Sequence, residues 1–209
     1  MRVLLVDDHA VVRVGFHRML ADHFESIEVV EVGTGPEAVA EVRQSPWDLV
    51  VLDISMPGRG GLEILKELRA IRPRLPVLMM TMYPEDQYAL RAFRAGAAGY
   101  ITKGSSPEEL VEAVQKVIAG GRYVSPTLAE HLAANLVGDD GRPKHALLSD
   151  RELQVLRMIG AGKTVKEIGF DLHLSEKTIS TYRTRLLQKM ELRTTAELVR
   201  YAIRSNLVE

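Results

Sequence analysis

The chain has 209 residues, enough for two small domains that each bury a core, and its 46% hydrophobic and 26% charged residues are those of ordinary globular proteins. It contains no cysteine, which excludes disulfides and thiolate metal sites and suits a reducing cytoplasm. The net charge of -1 is unevenly spread: residues 1–120 carry 13 Lys+Arg against 17 Asp+Glu (net -4), residues 121–145 balance at 3 against 3, and residues 146–209 carry 11 against 8 (net +3), so a polyanionic partner is expected at the C-terminal part.

The chain opens on Val3-Leu4-Leu5-Val6 and runs straight into Asp7-Asp8, without the apolar run and cleavage site of a secretory signal. No stretch reaches the roughly 18 apolar residues of a membrane helix, so no membrane partner and a cytoplasmic location are expected. Short apolar runs predict strands at Val3–Val6, Ile27–Val32, Leu49–Leu52, Val77–Met80 and Gly99–Ile101. The segments between them have helical spacing, as in Leu62, Ile64, Leu65, Leu68 and Ile71. The last of them begins at Ser106-Pro107-Glu108-Glu109, which combines a capping serine, a first-turn proline and a capping-box glutamate. Continuously apolar strands joined by helices read as an α/β domain, a parallel sheet covered on both faces.

Gly120-Gly121 stops the fifth helix, Thr127–Leu136 predicts a short amphipathic helix, and Gly138–Lys144 reads as an exposed linker. The expected division is therefore a domain over 1–120, a linker with a short helix over 121–145 and a second domain over 146–209. That second domain has no strand signal. It has capping boxes at Ser149…Glu152, Thr164…Glu167 and Thr194…Glu197, and a capping serine at Ser175. Four short helices are expected, with a core of Leu153, Val155, Leu156, Ile159, Ile168, Leu172, Leu174, Ile179, Leu186, Leu187 and Leu198.

The chemistry sits at the strand ends. Asp7 and Asp8 follow the first predicted strand and Asp53 the third, while the fourth ends at Thr81 and Lys103 follows the fifth. In a sheet ordered 2-1-3-4-5 the first and third strands are neighbours, and ligands bind beyond the carboxyl ends. Three carboxylates at one mouth call for a cation, and magnesium suits all-oxygen ligands. A carboxylate, a metal, a hydroxyl and an ammonium together suit the oxygens of a transferring phosphoryl group. His9, beside the acidic pair, reads as a solvent-facing residue at a helix start, and Trp47 as a packing residue. A haloacid-dehalogenase type of phosphohydrolase needs its nucleophile after the first strand with an aspartate two residues on. Here Asp53 follows the third, with Ser55 two on.

On these residues, positions 1–120 resemble a response-regulator receiver domain. The resemblance implies that Asp53 is the phosphoacceptor, that Asp8 ligates Mg2+ directly and Asp7 through water, and that Ser55 lends its backbone carbonyl. It makes Thr81 and Tyr100 the paired switch residues and Lys103 the phosphate-binding lysine. Met56-Pro57-Gly58 with Gly61 is similar to the family's turn after the acceptor.

In the C-terminal part, Gly160-Ala161-Gly162-Lys163-Thr164 imitates the end of a nucleotide-binding loop. Arg157 stands where that loop needs glycine and a helix precedes it, so nucleotide binding is rejected. Two helices are predicted next, Val165–Leu172 and Glu176–Met190. The second places Ile179, Tyr182, Leu186, Leu187 and Met190 on one side. Opposite lie Lys177, Thr181, Thr184 and Gln188, flanked by Thr178, Ser180, Arg183 and Arg185. Short polar groups between cations suit a major groove of double-stranded DNA.

Leu148-Ser149-Asp150-Arg151-Glu152, Gly162-Lys163-Thr164…Lys166-Glu167-Ile168 and Leu174-Ser175-Glu176-Lys177-Thr178-Ile179 resemble the LuxR-type helix-turn-helix domain of the NarL/FixJ response regulators. The resemblance covers nearly the whole chain. It implies a transcription regulator switched by a sensor histidine kinase, not a turnover enzyme, with the receiver catalysing only its own phosphorylation and slow hydrolysis. It also implies that phosphorylation frees the recognition helix or promotes a homodimer; Leu198, Val199, Ala202 and Ile203 of the C-terminal helix offer one candidate surface for pairing, and the receiver around Tyr100 the other. The rival expectation is a DNA-binding regulator whose vestigial receiver never takes phosphate.

Overall fold

The computed structural model describes residues 1–83, 85–130 and 143–208. Strands β1 (Arg2–Val6), β2 (Glu28–Val32), β3 (Leu49–Asp53), β4 (Val77–Thr81) and β5 (Gly99–Thr102) form one sheet in the order β2-β1-β3-β4-β5, every neighbour parallel. The expected α/β architecture and strand order are both present. Helices α1 (Ala10–His23), α2 (Gly35–Gln44), α3 (Gly61–Ile71) and α4 (Glu85–Arg94) make the four crossovers, and α5 (Pro107–Ile118) follows β5. On one face Val3, Leu5, Val51, Leu78, Met80 and Ile101 pack with Phe16 and Leu20 of α1 and Leu110, Val114 and Val117 of α5. The alternate residues Leu4, Val6, Val50, Leu52 and Met79 are also fully buried, so the sheet is covered on both sides. Each such Val or Leu contributes about 1.5–3 kcal/mol of burial, which fixes the strands as the frame on which the site is mounted.

Three strands end one residue past their expected limits, because Asp53 still pairs with Met80 and Thr81 with Thr102. Asp53 and Thr81 are thus held inside the ladder rather than in the loops beyond it. The second strand departs from the expected continuous apolar run: Glu28 and Glu31 break it, and β2 has only β1 beside it. Charge on an edge strand discourages pairing with another chain, and Glu28 here takes Arg2 at 3.0 Å. Trp47 packs as expected, buried under the Arg2 guanidinium, and its indole N–H donates to the Glu41 carbonyl at 3.1 Å.

Past α5 the chain returns to the sheet. Tyr123 bridges Gly99 in parallel, its N–H donates to the Ala98 carbonyl at 3.0 Å, and its ring joins the core. Ser125 caps a helical stretch at 126–130 through Leu128 N–H at 3.1 Å and donates to the Glu85 carboxylate at the start of α4. The remainder of the helix expected at Thr127–Leu136, and the linker expected at Gly138–Lys144 up to residue 142, lie outside the described residues.

The chain divides into two compact units, Met1–Val137 and Gly138–Glu209. In the second, a 3-10 turn (Lys144–Leu147) precedes α6 (Asp150–Gly160), α7 (Val165–Leu172), α8 (Glu176–Lys189) and α9 (Thr195–Arg204). All three expected capping boxes form, and Ser175 accepts from Thr178 N–H; each such cap contributes about 1 kcal/mol. The expected core is buried except for Leu174 and Leu187, which are half-buried: Leu174 lies in the turn between α7 and α8, and Leu187 on the flank of α8. Met190 and Leu207 are buried in addition. Gly160 ends α6, Gly162 takes a left-handed φ of 82° and Thr164 caps α7, so the nucleotide-loop look-alike is helix punctuation. Among the described residues no helix is long and apolar enough to cross a membrane.

Candidate functional site

At the carboxyl end of the first unit's sheet, Asp7 and Asp53 have no exposed surface and Asp8 is partly open. Lys103, fixed just past β5 by its N–H on the Thr81 carbonyl at 2.7 Å, sends its ammonium between the two buried aspartates. Its Nζ lies 2.7 Å from Asp7 Oδ2 and 2.9 Å from Asp53 Oδ2. The other Asp53 oxygen, Oδ1, is buried without a hydrogen-bond partner. Burial pushes the Asp53 carboxyl above its ordinary value and the charge of Asp7 acts the same way, against the pull of Lys103. Burial works against the Lys103 ammonium, but Asp53 and Asp7 outweigh it and hold that lysine protonated, above its ordinary value.

Three carboxylates against one ammonium leave two negative charges, and a bare buried oxygen costs free energy unless something meets it. Ligand atoms of Asp7, Asp8, His9 and Asp53 lie within 4.8 Å of one another. The charge, the oxygen-rich donors and the orphaned Oδ1 all fit a hard divalent cation.

His9 is closer to this cluster than its sequence suggested. Its side chain is 61% exposed at the start of α1, as expected, yet Nδ1 lies 3.2 Å from Asp7 Oδ1 and 3.0 Å from Asp8 Oδ1. Its backbone N–H also donates to Asp7 Oδ1 at 2.8 Å.

The turn after β3 is shaped by glycine. Gly58 has φ of 73°, and a Cβ on Gly61 would fall 2.0 Å from the Asp53 carbonyl oxygen, so α3 starts hard against the acceptor strand. Ser55 is half-buried in this turn with its Oγ unpartnered. Thr81 is fully buried, and its Oγ1 accepts from Tyr83 N–H at 3.2 Å. Tyr100 is also fully buried and turned inward, its hydroxyl donating to the Tyr83 carbonyl at 3.1 Å. Thr81 and Tyr100 therefore meet through the two backbone groups of one residue, Tyr83.

In the second unit, α7 ends at His173 in the left-handed region, φ 52°, and α8 starts two residues later at the Ser175 cap. On α8, Ile179, Leu186 and Met190 face the core; Lys177, Thr181, Thr184, Arg185 and Gln188 are exposed, and Thr178, Ser180 and Arg183 half-exposed. Lys177, Arg183 and Arg185 make no ion pair among the described residues, whereas Lys189 is held by Glu152 at 2.7 Å. Thr181 Oγ1 donates to the Lys177 carbonyl at 2.9 Å and Thr184 Oγ1 to the Ser180 carbonyl at 3.0 Å. Their hydroxyl hydrogens are occupied, so what they offer outward is a methyl group and oxygen lone pairs. On α9, Leu198 and Ala202 are buried, Val199 is half-buried and Ile203 is 51% exposed, so most of the apolar stripe offered for pairing belongs to the core.

Comparison with known proteins identifies the families of both units. Residues 3–115 match the family described as response regulator receiver domain, and residues 146–202 match bacterial regulatory proteins, luxR family. The response regulator GacA of Pseudomonas viridiflava is 40% identical over 210 residues, covering 100% of this chain and 98% of that protein. The response regulator UvrY of Escherichia coli K12 is 39% identical over 207 residues, covering 98% and 94%. Among solved structures, a LuxR-family two-component response regulator from Aurantimonas sp. SI85-9A1 has 40% identity and a TM-score of 0.61, covering 66% of this chain and 98% of that one. RcsB of Salmonella enterica serovar Typhimurium, bound to promoter rprA in the presence of phosphomimetic BeF3-, has 27% identity and a TM-score of 0.66, covering 96% and 98%. With a receiver fold on one side and a LuxR-type helix-turn-helix on the other, the chain belongs to the NarL/FixJ family of two-component response regulators, which are DNA-binding transcription regulators rather than turnover enzymes.

Proposed function

We propose that Asp53 accepts a phosphoryl group from a sensor histidine kinase or a small acyl-phosphate donor, and that this switches DNA binding through α8. The observation that carries the reading is the pairing at Asp53: Oδ2 is held by Lys103 while Oδ1 is buried and bare. One Asp53 carboxylate oxygen attacks phosphorus, the donor's leaving group departs with the electron pair of its bond, and an acyl phosphate results. Lys103, already protonated, then has phosphoryl oxygens to hold in place of carboxylate oxygen. Asp7, Asp8, Asp53 and the Ser55 carbonyl would hold Mg2+, which when bound neutralises the incoming charge. Thr81 gives up Tyr83 N–H to donate its hydroxyl to a phosphoryl oxygen. Tyr100, already turned inward, loses its partner at the Tyr83 carbonyl as that segment follows Thr81, which reshapes the surface formed by α4 and α5. Water attacking the acyl phosphate returns the resting state, so the receiver catalyses only its own gain and loss of phosphate.

Lys177, Arg183 and Arg185 are assigned to phosphates, and Thr178, Ser180, Thr181, Thr184 and Gln188 to base edges. The threonine methyls suit thymine methyls, and their lone pairs suit exocyclic amines. A chromosomal target places the protein in the cytoplasm.

The test is acetyl phosphate with Mg2+ followed by intact-mass analysis. The parent gains one phosphoryl group, lost on mild base treatment, and Asp53→Asn gains none. Undiminished labelling of that variant moves the acceptor elsewhere.

A further inference from the structure

Arg13 carries no role in the phosphotransfer just described, yet its guanidinium sits on the backbone that bears the acidic pair. It lies on α1, four residues after the His9 cap, with a side chain only 20% exposed. Its Nη1 donates to the Asp7 carbonyl at 2.6 Å, and its Nε donates to Glu31 Oε2 on β2 at 3.3 Å. Glu31 is held in turn by His17 Nδ1 at 2.8 Å. Asp7 lies one residue past the end of β1, where the ladder no longer pairs its carbonyl. Its N–H reaches the Val32 carbonyl at 3.2 Å, and its Oδ1 takes His9 N–H at 2.8 Å. Asp7 is therefore held from three directions, and Arg13 supplies the hold on the carbonyl of the peptide that joins it to Asp8.

We propose that Arg13 is a positioning residue for the divalent-cation site, fixing the Asp7-Asp8 peptide so that both carboxylates face Asp53. The proposal rests on the reading of Asp7, Asp8 and Asp53 as cation ligands and names what holds two of them in place. It makes a prediction of unexpected sign. Arg13 brings a positive charge to the edge of an anionic cluster, and simple Coulomb repulsion says that removing it strengthens cation binding. If its work is positional, removing it weakens binding. Lysine separates the two further, since one ammonium keeps the charge but lacks the fork that spans the Asp7 carbonyl and Glu31.

The experiment is isothermal titration calorimetry of Mg2+, and of Mn2+ as a second probe, into the full chain without any phosphodonor. The parent binds one ion. Arg13→Ala and Arg13→Lys each weaken binding by about tenfold, the usual cost of losing a group that orients a ligand, with circular dichroism of both variants unchanged. Tighter binding by Arg13→Ala with an unchanged Arg13→Lys overturns the proposal in favour of charge alone. Binding within twofold of the parent in both variants overturns it too, while leaving the cation site in place. Absence of binding by the parent removes the cation site and the proposal together. Should Arg13→Ala fail to fold, Arg13→Lys and Glu31→Gln, which loosens the guanidinium without removing it, give the same decision.

Discussion

At the scale of single residues, the buried charges are the most informative feature, because each needs a partner to be tolerated. In the first unit, Lys103 is that partner for Asp7 and Asp53, and what remains unpaired is the chemistry. In the second unit the comparable residue is Glu152, 3% exposed, and it has no vacancy to fill. Its Oε2 accepts from Ser149 N–H at 2.8 Å, from Ser149 Oγ at 2.9 Å and from Lys189 Nζ at 2.7 Å. Burial works against the Glu152 carboxylate, but Lys189 and Ser149 more than compensate and hold it below its ordinary value. A depressed folded-state pKa adds stability above the unfolded value of about 4.3, and this stability is lost as pH falls through the folded value. Glu152→Gln is therefore expected to cost about 1–3 kcal/mol at neutral pH. The gap between parent and variant should narrow as pH falls below the unfolded value and close once it is below the depressed folded value. Urea titrations over a pH series from neutral into acid check this, and a gap that does not narrow at all as pH falls assigns the cost to shape rather than charge.

At the scale of elements, α8 shows how a pattern becomes a reading face. Its buried side is fixed by Ile179, Leu186 and Met190, and everything opposite is then committed to solvent or DNA. Lys189 stands near the same face but is spent on Glu152, so net charge alone would have overstated the cations available. Thr181→Ala or Thr184→Ala is expected to relax preference at particular base pairs by about 1–3 kcal/mol. Arg185→Ala is expected to weaken binding to every sequence and to lower the salt slope by about one. Fluorescence anisotropy with operator and random duplexes over a salt series separates the two classes. If all three variants behave like the parent on both DNAs, another element reads the groove.

At the scale of the whole molecule, one helix-turn-helix reads few base pairs, and two half-sites about one helical turn apart are the usual remedy. The stripe on α9 leaves little apolar surface for pairing, since Leu198 and Ala202 are core and Ile203 alone of its residues is exposed; the other large exposed apolar side chains of the second unit, Leu147 and Phe170, lie outside α9. That moves the weight to the receiver, where the switch proposed above runs from Asp53 to Tyr100 and the α4 region. The unphosphorylated chain is expected to be mainly monomeric at micromolar concentration, and beryllofluoride with Mg2+ to shift it to a two-fold dimer with tighter operator binding. Analytical ultracentrifugation in the two states decides it: a monomer in both, with unchanged operator affinity, refutes pairing driven by phosphorylation.

Much of this was legible in the sequence, for a definite reason. Strands buried on both faces must be apolar throughout, and capping boxes leave a local signature, so the α/β sheet and the four C-terminal helices were written in patterns of a few residues. The polar residues at strand ends were legible because apolar runs that stop abruptly at Asp7, Asp53 and Thr81 leave few places for them to go. What the tertiary structure alone decided is what long-range approach creates. It placed Lys103 between two aspartates, brought Arg13 from α1 onto the Asp7 carbonyl, and seated Tyr123 in the core past the last helix. It also spent Lys189 on Glu152 and turned Ala202 inward. Periodicity tells which face of an element is apolar; which charged groups meet across elements depends on side-chain reach and register, and these exist only once the chain has folded.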